Sequence, residues 1–222
     1  RYEKNDEEIR HEINMANLNT VVTPRVEVIT GPMFCGKTEE LIRRVIRYEI
    51  AGYNYQAFKP IIDDRYSSDS IASHSGSKLK ATCVDCSLED VLRNLDGNKR
   101  VYAFDEIQFF NDEILEFFYD SRFVEDKIIL ASGLNQDFTG RPFKFKDSNK
   151  HMGDLLASAD EITHLNSICT YISEKNICGA PATKTQRLIN GIPASIDDDL
   201  VLVGGDDSYE ARCNVHHFVR YG

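Results

Sequence analysis

The sequence contains no run of about 18 apolar residues, the length that a membrane-spanning helix requires, and no repeat or low-complexity tract. Residues 1–22 are polar and lack the apolar segment of a secretory signal, so we expect a mobile tail there and a cytoplasmic protein. Positive charge is also scarce, because 26 basic residues face 36 acidic ones and the net charge is -10. An acidic chain is poorly suited to binding phosphate backbones non-specifically. Neither a membrane nor a nucleic acid is therefore an expected partner.

The 222 residues, 41% of them hydrophobic, suffice for one ordinary domain or for one domain with a small appendage. Predicted strands and helices alternate up to about residue 168, with EITHLNSI at 161–168 as one further strand and the polar segment 63–79 as a loop. This alternation favours an α/β fold with a parallel sheet. Beyond that point the helical periodicity disappears, Asn190-Gly191 indicates a tight hairpin, and three of the six cysteines follow. We therefore predict an α/β domain over 23–168 and a small, metal-stapled β domain over 169–222.

The most informative segment begins with an alternating strand at Val26 and Val28 and continues with GPMFCGKT at 31–38. This octapeptide has the form G-x-x-x-x-G-K-T, and an apolar helical period follows it at Leu41, Ile42, Val45 and Ile46. Glycines let backbone N–H groups turn inward around phosphates, and the helix adds its positive end. Lys37 would reach the outer phosphates of ATP, and Thr38 would supply a hydroxyl to Mg²⁺. The predicted nucleotide-binding residues are Gly31, Pro32, Met33, Phe34, Cys35, Gly36, Lys37 and Thr38.

A P-loop needs a carboxylate at the end of a neighbouring strand to hold Mg²⁺ through water, and Asp105 in VYAFDE supplies one. The adjacent Glu106 either acts as a base on an acceptor hydroxyl or caps the next turn, and the residues leave both roles open. The DEIQ tetrapeptide is similar to the DEAD signature of helicases. Helicases need two such domains and a basic groove, which this acidic chain lacks.

The six cysteines favour metal or catalytic roles over disulfides, because no secretion signal is present. Cys83 and Cys86 form a C-x-x-C pair that suggests zinc or redox chemistry when taken alone, although we favour packing roles for both. Cys35 lies ahead of a helix N-terminus and beside Lys37. Both features would lower the pKa of its thiol and make it easy to alkylate, unless Cys35 is a small packing residue.

Five ordered motifs, GPMFCGKTEELIRR, DEIQFF, GLNQDFTGRPF, PATKTQR and SYEARC, resemble those of the type II thymidine kinases. The resemblance extends from about Val26 onward. It implies a RecA-like P-loop domain, a zinc-bearing lasso domain and a homotetramer. It also implies transfer of the γ-phosphoryl group of ATP to the 5′-hydroxyl of deoxythymidine.

The resemblance also assigns roles to individual residues. Glu106 matches the family's base and would act with Lys37 and Arg65. Asp63 and Arg65 match a loop that faces the phosphates, and Gln108 joins Asp105 on the nucleotide side. The implied nucleoside-binding residues are Met33, Phe109, Leu134, Phe138, Thr185, Leu202, Val203, Gly204, Gly205 and Tyr209.

The zinc site that the resemblance implies departs from the family pattern of two C-x-x-C pairs. Lys175 stands where the family has the first cysteine ligand. The nearest candidate is Cys169, which eight residues separate from the second ligand, Cys178. The last pair, Cys213 and His216, has the spacing C-x-x-H, and His217 is an alternative ligand to His216. The implied structural zinc ligands are Cys169, Cys178, Cys213 and His216.

Two rival functions remain at this stage. One is a kinase of the same fold acting on another nucleoside such as deoxyuridine, and the other is a nucleic-acid-dependent ATPase. A basic run after Phe138 forms either a loop near the phosphates or a solvated surface. It comprises Arg141, Lys144, Lys146 and Lys150.

Overall fold

A computed structural model describes residues 23–61, 69–73, 76–123, 126–174, 176–200 and 207–221. The first eight strands are β1 Arg25–Thr30, β2 Tyr55–Pro60, β3 Ser70–Ala72, β4 Lys78–Lys80, β5 Thr82–Val84, β6 Val101–Phe104, β7 Ile128–Gly133 and β8 Glu161–His164. Six of them form a sheet in the order β5-β2-β6-β7-β1-β8, and all of its pairings are parallel. The predicted α/β fold with a parallel sheet is confirmed.

Helices cover both faces of this sheet, as they must where a parallel sheet is buried. They are α1 Lys37–Ile50, α2 Leu88–Asn94, α3 Glu113–Phe123 and α4 Met152–Ser158, and a 3₁₀ turn spans Ile107–Phe109. Leu41 and Val45 of α1 pack into one apolar cluster, while Ile114 and Phe118 of α3 belong to the other. Among the described residues, no helix combines the length and the apolar composition needed to cross a membrane.

The remainder of the chain is built from short strands. They are β9 Ser167–Ile168, β10 Ile172–Ser173, β11 Asn176–Ile177, β12 Pro181–Ala182, β13 Lys184–Ile189, β14 Ile192–Pro193 and β15 Asp207–Arg212. β13 pairs antiparallel with both β14 and β15. The turn between β13 and β14 has positive φ at Asn190 (52°) and Gly191 (77°), so the predicted hairpin is confirmed.

Two secondary-structure predictions were wrong. EITHLNSI was predicted as one strand, but it divides into β8 and β9, which belong to different sheets. The chain turns between them because Leu165 passes over the P-loop, where its N–H donates to the carbonyl of Thr30 at 2.8 Å. The segment 63–79 was predicted as a loop throughout, yet it contains the β3–β4 hairpin. Ile71 and Leu79 anchor that hairpin by burial in the core.

Candidate active site

The loop between β1 and α1 has the backbone that a phosphate-binding loop requires. Gly31 has φ 143°, and a Cβ there would lie 2.2 Å from the carbonyl oxygen of Leu165. Gly36 caps α1 in the left-handed region, at φ 86°, without a side-chain hydrogen bond to the helix. Both positions therefore favour glycine, since a side chain would meet backbone at the first and strain at the second. The N–H groups at the start of α1 remain available to an anion.

Lys37 is almost fully buried at the base of this loop. Its Nζ donates to the carbonyl oxygen of Pro32 at 2.7 Å and lies 3.8 Å from Sγ of Cys35. Burial raises the pKa of the Cys35 thiol, and the opposing charge of Lys37 does not outweigh that desolvation. The predicted lowering of this pKa was wrong, because the loop removes the sulfur from water more effectively than Lys37 stabilises a thiolate.

Asp105 follows β6 directly and faces the P-loop. The strand prediction needs one correction, since β7 lies between β1 and β6 and the two strands are not neighbours. Asp105 still reaches the loop, and Oγ1 of Thr38 lies 3.4 Å from each of its carboxylate oxygens. The Ser132 hydroxyl also donates to this carboxylate. Burial first, and then the nearby charge of Glu106, raise the pKa of Asp105 to about 6.

These groups fit a magnesium ion. Mg²⁺ prefers oxygen ligands in octahedral geometry, in which adjacent ligand oxygens lie about 3 Å apart. The separation of Thr38 and Asp105 is close to that value, and it also leaves space for a bridging water. The positive charge of Lys37 offsets the burial of this carboxylate only in part, and a bound cation would offset it further. Thr38 and Asp105 can therefore hold Mg²⁺ directly or through water.

Glu106 occupies an unusual backbone conformation at the start of the 3₁₀ turn. Its φ of 50° and ψ of 46° lie in the left-handed region, which non-glycine residues adopt rarely. Oε2 of Glu106 accepts a hydrogen bond from Nε2 of Gln108 at 2.6 Å. The side chain lines a cavity and is not hydrogen-bonded to the turn as a cap. This placement favours the base among the two roles that the sequence left open.

One cavity of about 690 Å³ joins the P-loop to an aromatic wall. Glu106 lines this cavity. The residues of the predicted nucleotide site that line it are Met33, Phe34, Gly36, Lys37, Thr38 and Asp105, and those of the predicted nucleoside site are Phe109, Leu134, Phe138, Thr185 and Tyr209. Gly31, Pro32 and Cys35 shape the loop but do not line this cavity. Neither does the side chain of Gln108, which was predicted on the nucleotide side.

The nucleoside end of the cavity is held by contacts between its walls. Oγ1 of Thr185 accepts from the N–H of Met33 at 3.0 Å, which ties β13 to the P-loop. The guanidinium of Arg187 is fully buried and lies 5.2 Å from the ring centre of Phe138. An apolar pocket with few polar groups and aromatic faces is the usual form of a nucleobase site.

Several cavity residues were missed by the sequence reasoning. Phe143 lines the cavity and packs edge-to-face on Phe109 with ring centres 5.7 Å apart. The GRPF end of the GLNQDFTGRPF motif was the available signal for Phe143. Gln136, Ala72 and Ser73 also line the cavity, and the last two went unnoticed because the β3–β4 hairpin was read as a loop.

Six predicted site residues lie outside the described part of the chain. They are Asp63, Arg65, Leu202, Val203, Gly204 and Gly205. In the basic run, Lys150 lies 3.7 Å from Asp112 and 3.6 Å from Glu116 at the surface, away from the cavity lining.

A second cluster brings three thiols and an imidazole together. The ligand atoms of Cys169, Cys178, Cys213 and His216 all lie within 4.8 Å of one another. Nδ1 of His216 is 3.7 Å from Sγ of Cys169 and 3.5 Å from Sγ of Cys213. A tetrahedral zinc ion imposes about 3.6 Å between a thiolate sulfur and an imidazole nitrogen. The cluster therefore fits zinc.

The two alternatives to these ligands lie elsewhere. Nε2 of His217 is 2.8 Å from the carbonyl oxygen of Phe138, so His217 contacts a residue of the predicted nucleoside site. Cys83 lies on β5 and Cys86 is buried with φ 74°, and within the described residues neither belongs to a disulfide. Within the described residues, only Cys169, Cys178, Cys213 and His216 form a group of Cys, His, Asp or Glu side chains close enough together to bind one metal ion.

The chain is similar to known proteins over most of its length. The sequence model of the family described as "Thymidine kinase" matches residues 24–217. The chain belongs to the thymidine kinase family. A thymidine kinase from Deinococcus deserti is 44% identical over 204 residues, which cover 87% of this chain and 94% of that relative. The resemblance drawn from the five sequence motifs is confirmed.

A solved structure of the replication initiator DnaA, bound to AMPPCP and single-stranded DNA, is a remote match. The TM-score is 0.38 and the identity 14%, over 75% of this chain and 48% of that one. The chain thus spans about half the length of that structure. At this score the likeness carries no information about fold or function.

Proposed function

We propose that this chain transfers the γ-phosphoryl group of ATP to the 5′-hydroxyl of deoxythymidine, giving thymidine monophosphate and ADP. The observation that carries the proposal is one cavity that is lined by the P-loop, by several aromatic side chains and by the carboxylate of Glu106. Membership of the thymidine kinase family, and the 44% identity to the Deinococcus deserti enzyme, support thymidine as the acceptor.

The phosphates of ATP would bind to the backbone N–H groups of the loop from Gly31 to Thr38. Lys37 would reach the outer phosphates, since its ammonium already lies within the loop. Thr38 and Asp105 would hold Mg²⁺, which supplies positive charge to the transferring phosphoryl group when bound. Asp63 and Arg65 are proposed to face the phosphates, on the strength of the family resemblance.

Glu106 would accept the proton of the 5′-hydroxyl as the hydroxyl oxygen attacks the γ-phosphorus. The bond from phosphorus to the β–γ bridging oxygen breaks in the same reaction, and ADP leaves with that electron pair. This role is supported because Glu106 lines the same cavity as Thr38 and Asp105 of the proposed phosphate site and Phe109 of the proposed nucleoside site. Proton acceptance by a positioned carboxylate contributes about 10²- to 10⁴-fold to such reactions.

The thymine base would lie among Met33, Phe109, Leu134, Phe138 and Tyr209. Phe109 and Phe138 offer aromatic faces, and Thr185 fixes the wall to the P-loop. Residues Leu202 to Gly205 are proposed to close over the base through backbone groups, as the family resemblance implies.

The remaining proposals concern organisation. The Cys₃His cluster would hold a structural zinc ion, with residues 169–222 as a lasso domain, 23–168 as the kinase domain and 1–22 as a mobile tail. We further propose a cytoplasmic homotetramer that supplies thymidine nucleotide for DNA synthesis by salvage. A nucleic-acid-dependent ATPase is disfavoured, because the chain carries a net charge of -10.

The test is phosphoryl transfer from ATP–Mg²⁺ to a panel of nucleosides that includes thymidine and deoxyuridine, with Glu106→Gln beside the unmodified enzyme. We expect preferential transfer to thymidine, a loss of about 10²-fold or more in kcat for E106Q, and unchanged ATP binding. Glu89→Gln is the matched control, because the Glu89 side chain is 83% exposed on α2, and it should retain full activity. An absence of transfer to every nucleoside with intact ATP binding would overturn the proposed acceptor.

A further inference from the structure

Gln108 follows the proposed base by two residues and is 1% exposed. Both the nitrogen and the oxygen of its side-chain amide form hydrogen bonds. Nε2 donates to Oε2 of Glu106 at 2.6 Å, and Oε1 accepts from the backbone N–H of Leu134 at 3.0 Å. The side chain thus connects the residue that follows β7 with the carboxylate that follows β6.

The two contacts fix the orientation of the amide. A carboxylate can only accept a hydrogen bond when ionised, and a backbone N–H can only donate one. A flipped amide would set its oxygen against the Glu106 carboxylate and its nitrogen against the Leu134 N–H. The observed orientation is therefore the one that satisfies both partners, and Gln108 offers Glu106 a fixed donor.

Gly133 makes this arrangement possible. A Cβ at this position would lie 2.4 Å from Oε1 of Gln108 and 2.8 Å from Cγ2 of Ile107. Neither contact is sterically acceptable, so any larger residue would displace the 3₁₀ turn or the amide. The close approach of β7 to Gln108 accounts for a glycine at the end of a strand, where glycine is otherwise unfavourable.

The carboxylate needs such support because of its backbone. Glu106 is in the left-handed region, which costs a non-glycine residue about 1 kcal/mol or more and is retained only when neighbouring contacts hold it. Gln108 holds Oε2. The described residues provide no hydrogen bond to Oε1, which therefore remains for an acceptor hydroxyl.

We propose that Gln108 is a positioning residue for phosphoryl transfer: it holds Oε2 of Glu106 so that Oε1 faces the acceptor hydroxyl, and it ties that carboxylate to Leu134 on the nucleoside wall. This inference rests on the proposed function of Glu106 as the base. It differs from the prediction that Gln108 contacts the nucleotide, since the amide is engaged by Glu106 and Leu134, and Gln108 lines a neighbouring cavity and not the one that contains the P-loop.

The first test is Gln108→Met, which keeps the length of the side chain and removes both amide groups. We expect kcat to fall about 10- to 100-fold, because misplacing a catalytic group by about 1 Å has effects of this size. The KM values for ATP and thymidine should stay within about threefold, since Gln108 does not line the proposed substrate cavity. A raised KM for ATP with unchanged kcat would overturn the proposal in favour of a nucleotide contact.

Gln186→Met is the matched control for losing a buried glutamine. Gln186 is 2% exposed, and its amide binds the backbone of Phe218 at both ends, at 2.8 Å each. This variant should lower the melting temperature while leaving kcat within about twofold. An equal fall in kcat for both variants would mean that Gln108 acts only through stability, which would overturn the proposal.

A double-mutant cycle separates this inference from the proposed function. If Gln108 acts through Glu106, Q108M should lower kcat in the unmodified enzyme and have no further effect in E106Q. Additive losses would overturn the positioning role while leaving Glu106 as the base. Full activity of E106Q would instead overturn the base itself. Gly133→Ala provides a second route should Q108M not fold, and its expected phenotype is the same fall in kcat at unchanged KM.

Discussion

Arg44 is the centre of a buried ionic network that joins β1, α1 and β8, and replacing it by methionine should destabilise the fold strongly. The side chain is 9% exposed. Its guanidinium donates to Glu27 at 2.6 Å, Glu40 at 2.8 Å, Glu161 at 3.1 Å and Thr163 at 2.6 Å. Because β1 and α1 flank the P-loop, this network fixes the two elements between which the phosphates would bind.

The expected cost follows from what is left behind. Removing one partner of a buried ion pair costs about 3–5 kcal/mol, mostly because the other charge remains buried. Glu27 would keep its hydrogen bond from Tyr48 at 2.7 Å and its contact with Arg25 at 3.3 Å. We therefore expect the lower limit, about 3 kcal/mol, which corresponds to a fall of about 6–12 °C in melting temperature for a chain of this size.

Urea unfolding and calorimetry of Arg44→Met provide the measurement, with Arg43→Met as the matched control. Arg43 contacts the same Glu40 at 2.6 Å but is exposed, so its replacement should leave the unfolding midpoint nearly unchanged. Combining R44M with Glu27→Gln should recover part of the loss, since the unpaired buried charge is then absent. A destabilisation below about 1 kcal/mol for R44M, or equal effects for both arginines, would refute the reasoning.

Two further predictions concern the cysteines. The chain as purified should contain about one zinc ion, as measured by plasma mass spectrometry. Cys213→Ser should lower both the zinc content and the melting temperature, because a Cys₃His site needs all four ligands. Full zinc occupancy in C213S would exclude the cluster as the metal site. Cys35 should react with iodoacetamide more slowly than free cysteine at pH 7.5 and reach its half-maximal rate at a higher pH than free cysteine does, because burial raises its thiol pKa and the thiolate is the nucleophile. Peptide mass spectrometry at several pH values measures this rate, and a midpoint at or below that of free cysteine would contradict the expectation.

The features that the sequence predicted well are local ones. The P-loop could be located because glycine, lysine and threonine must occur at fixed spacing between a strand and a helix. Asp105 and Glu106 could be located because they end a buried strand. The order of strands could not, since the insertion of β7 between β1 and β6 depends on contacts between segments distant in the chain.

The features that the sequence did not predict depend on direction or on distant contacts. Nothing in DEIQFF tells whether the Gln108 amide faces the nucleotide or turns back to Glu106, because that depends on the Leu134 N–H and on space above Gly133. The pKa of Cys35 was predicted in the wrong direction for a similar reason. Helix and lysine fields are visible in the sequence, whereas the burial that outweighs them is not.

β13 explains how the metal cluster can influence a site to which it contributes no residue. Thr185 and Arg187 are two residues apart on this strand and so lie on the same face. Thr185 is hydrogen-bonded to the P-loop, and the guanidinium of Arg187 packs on the ring of Phe138. Each is paired across the ladder with β15, Arg187 directly opposite Tyr209. Cys213 follows β15 at once, so a bound metal would fix the end of that strand and its register with β13. A register slip of one residue would turn Tyr209 to the other face of the sheet. A metal in the Cys₃His cluster would therefore support the proposed nucleoside site through two strands, and disruption of the cluster should affect thymidine binding before it affects the P-loop.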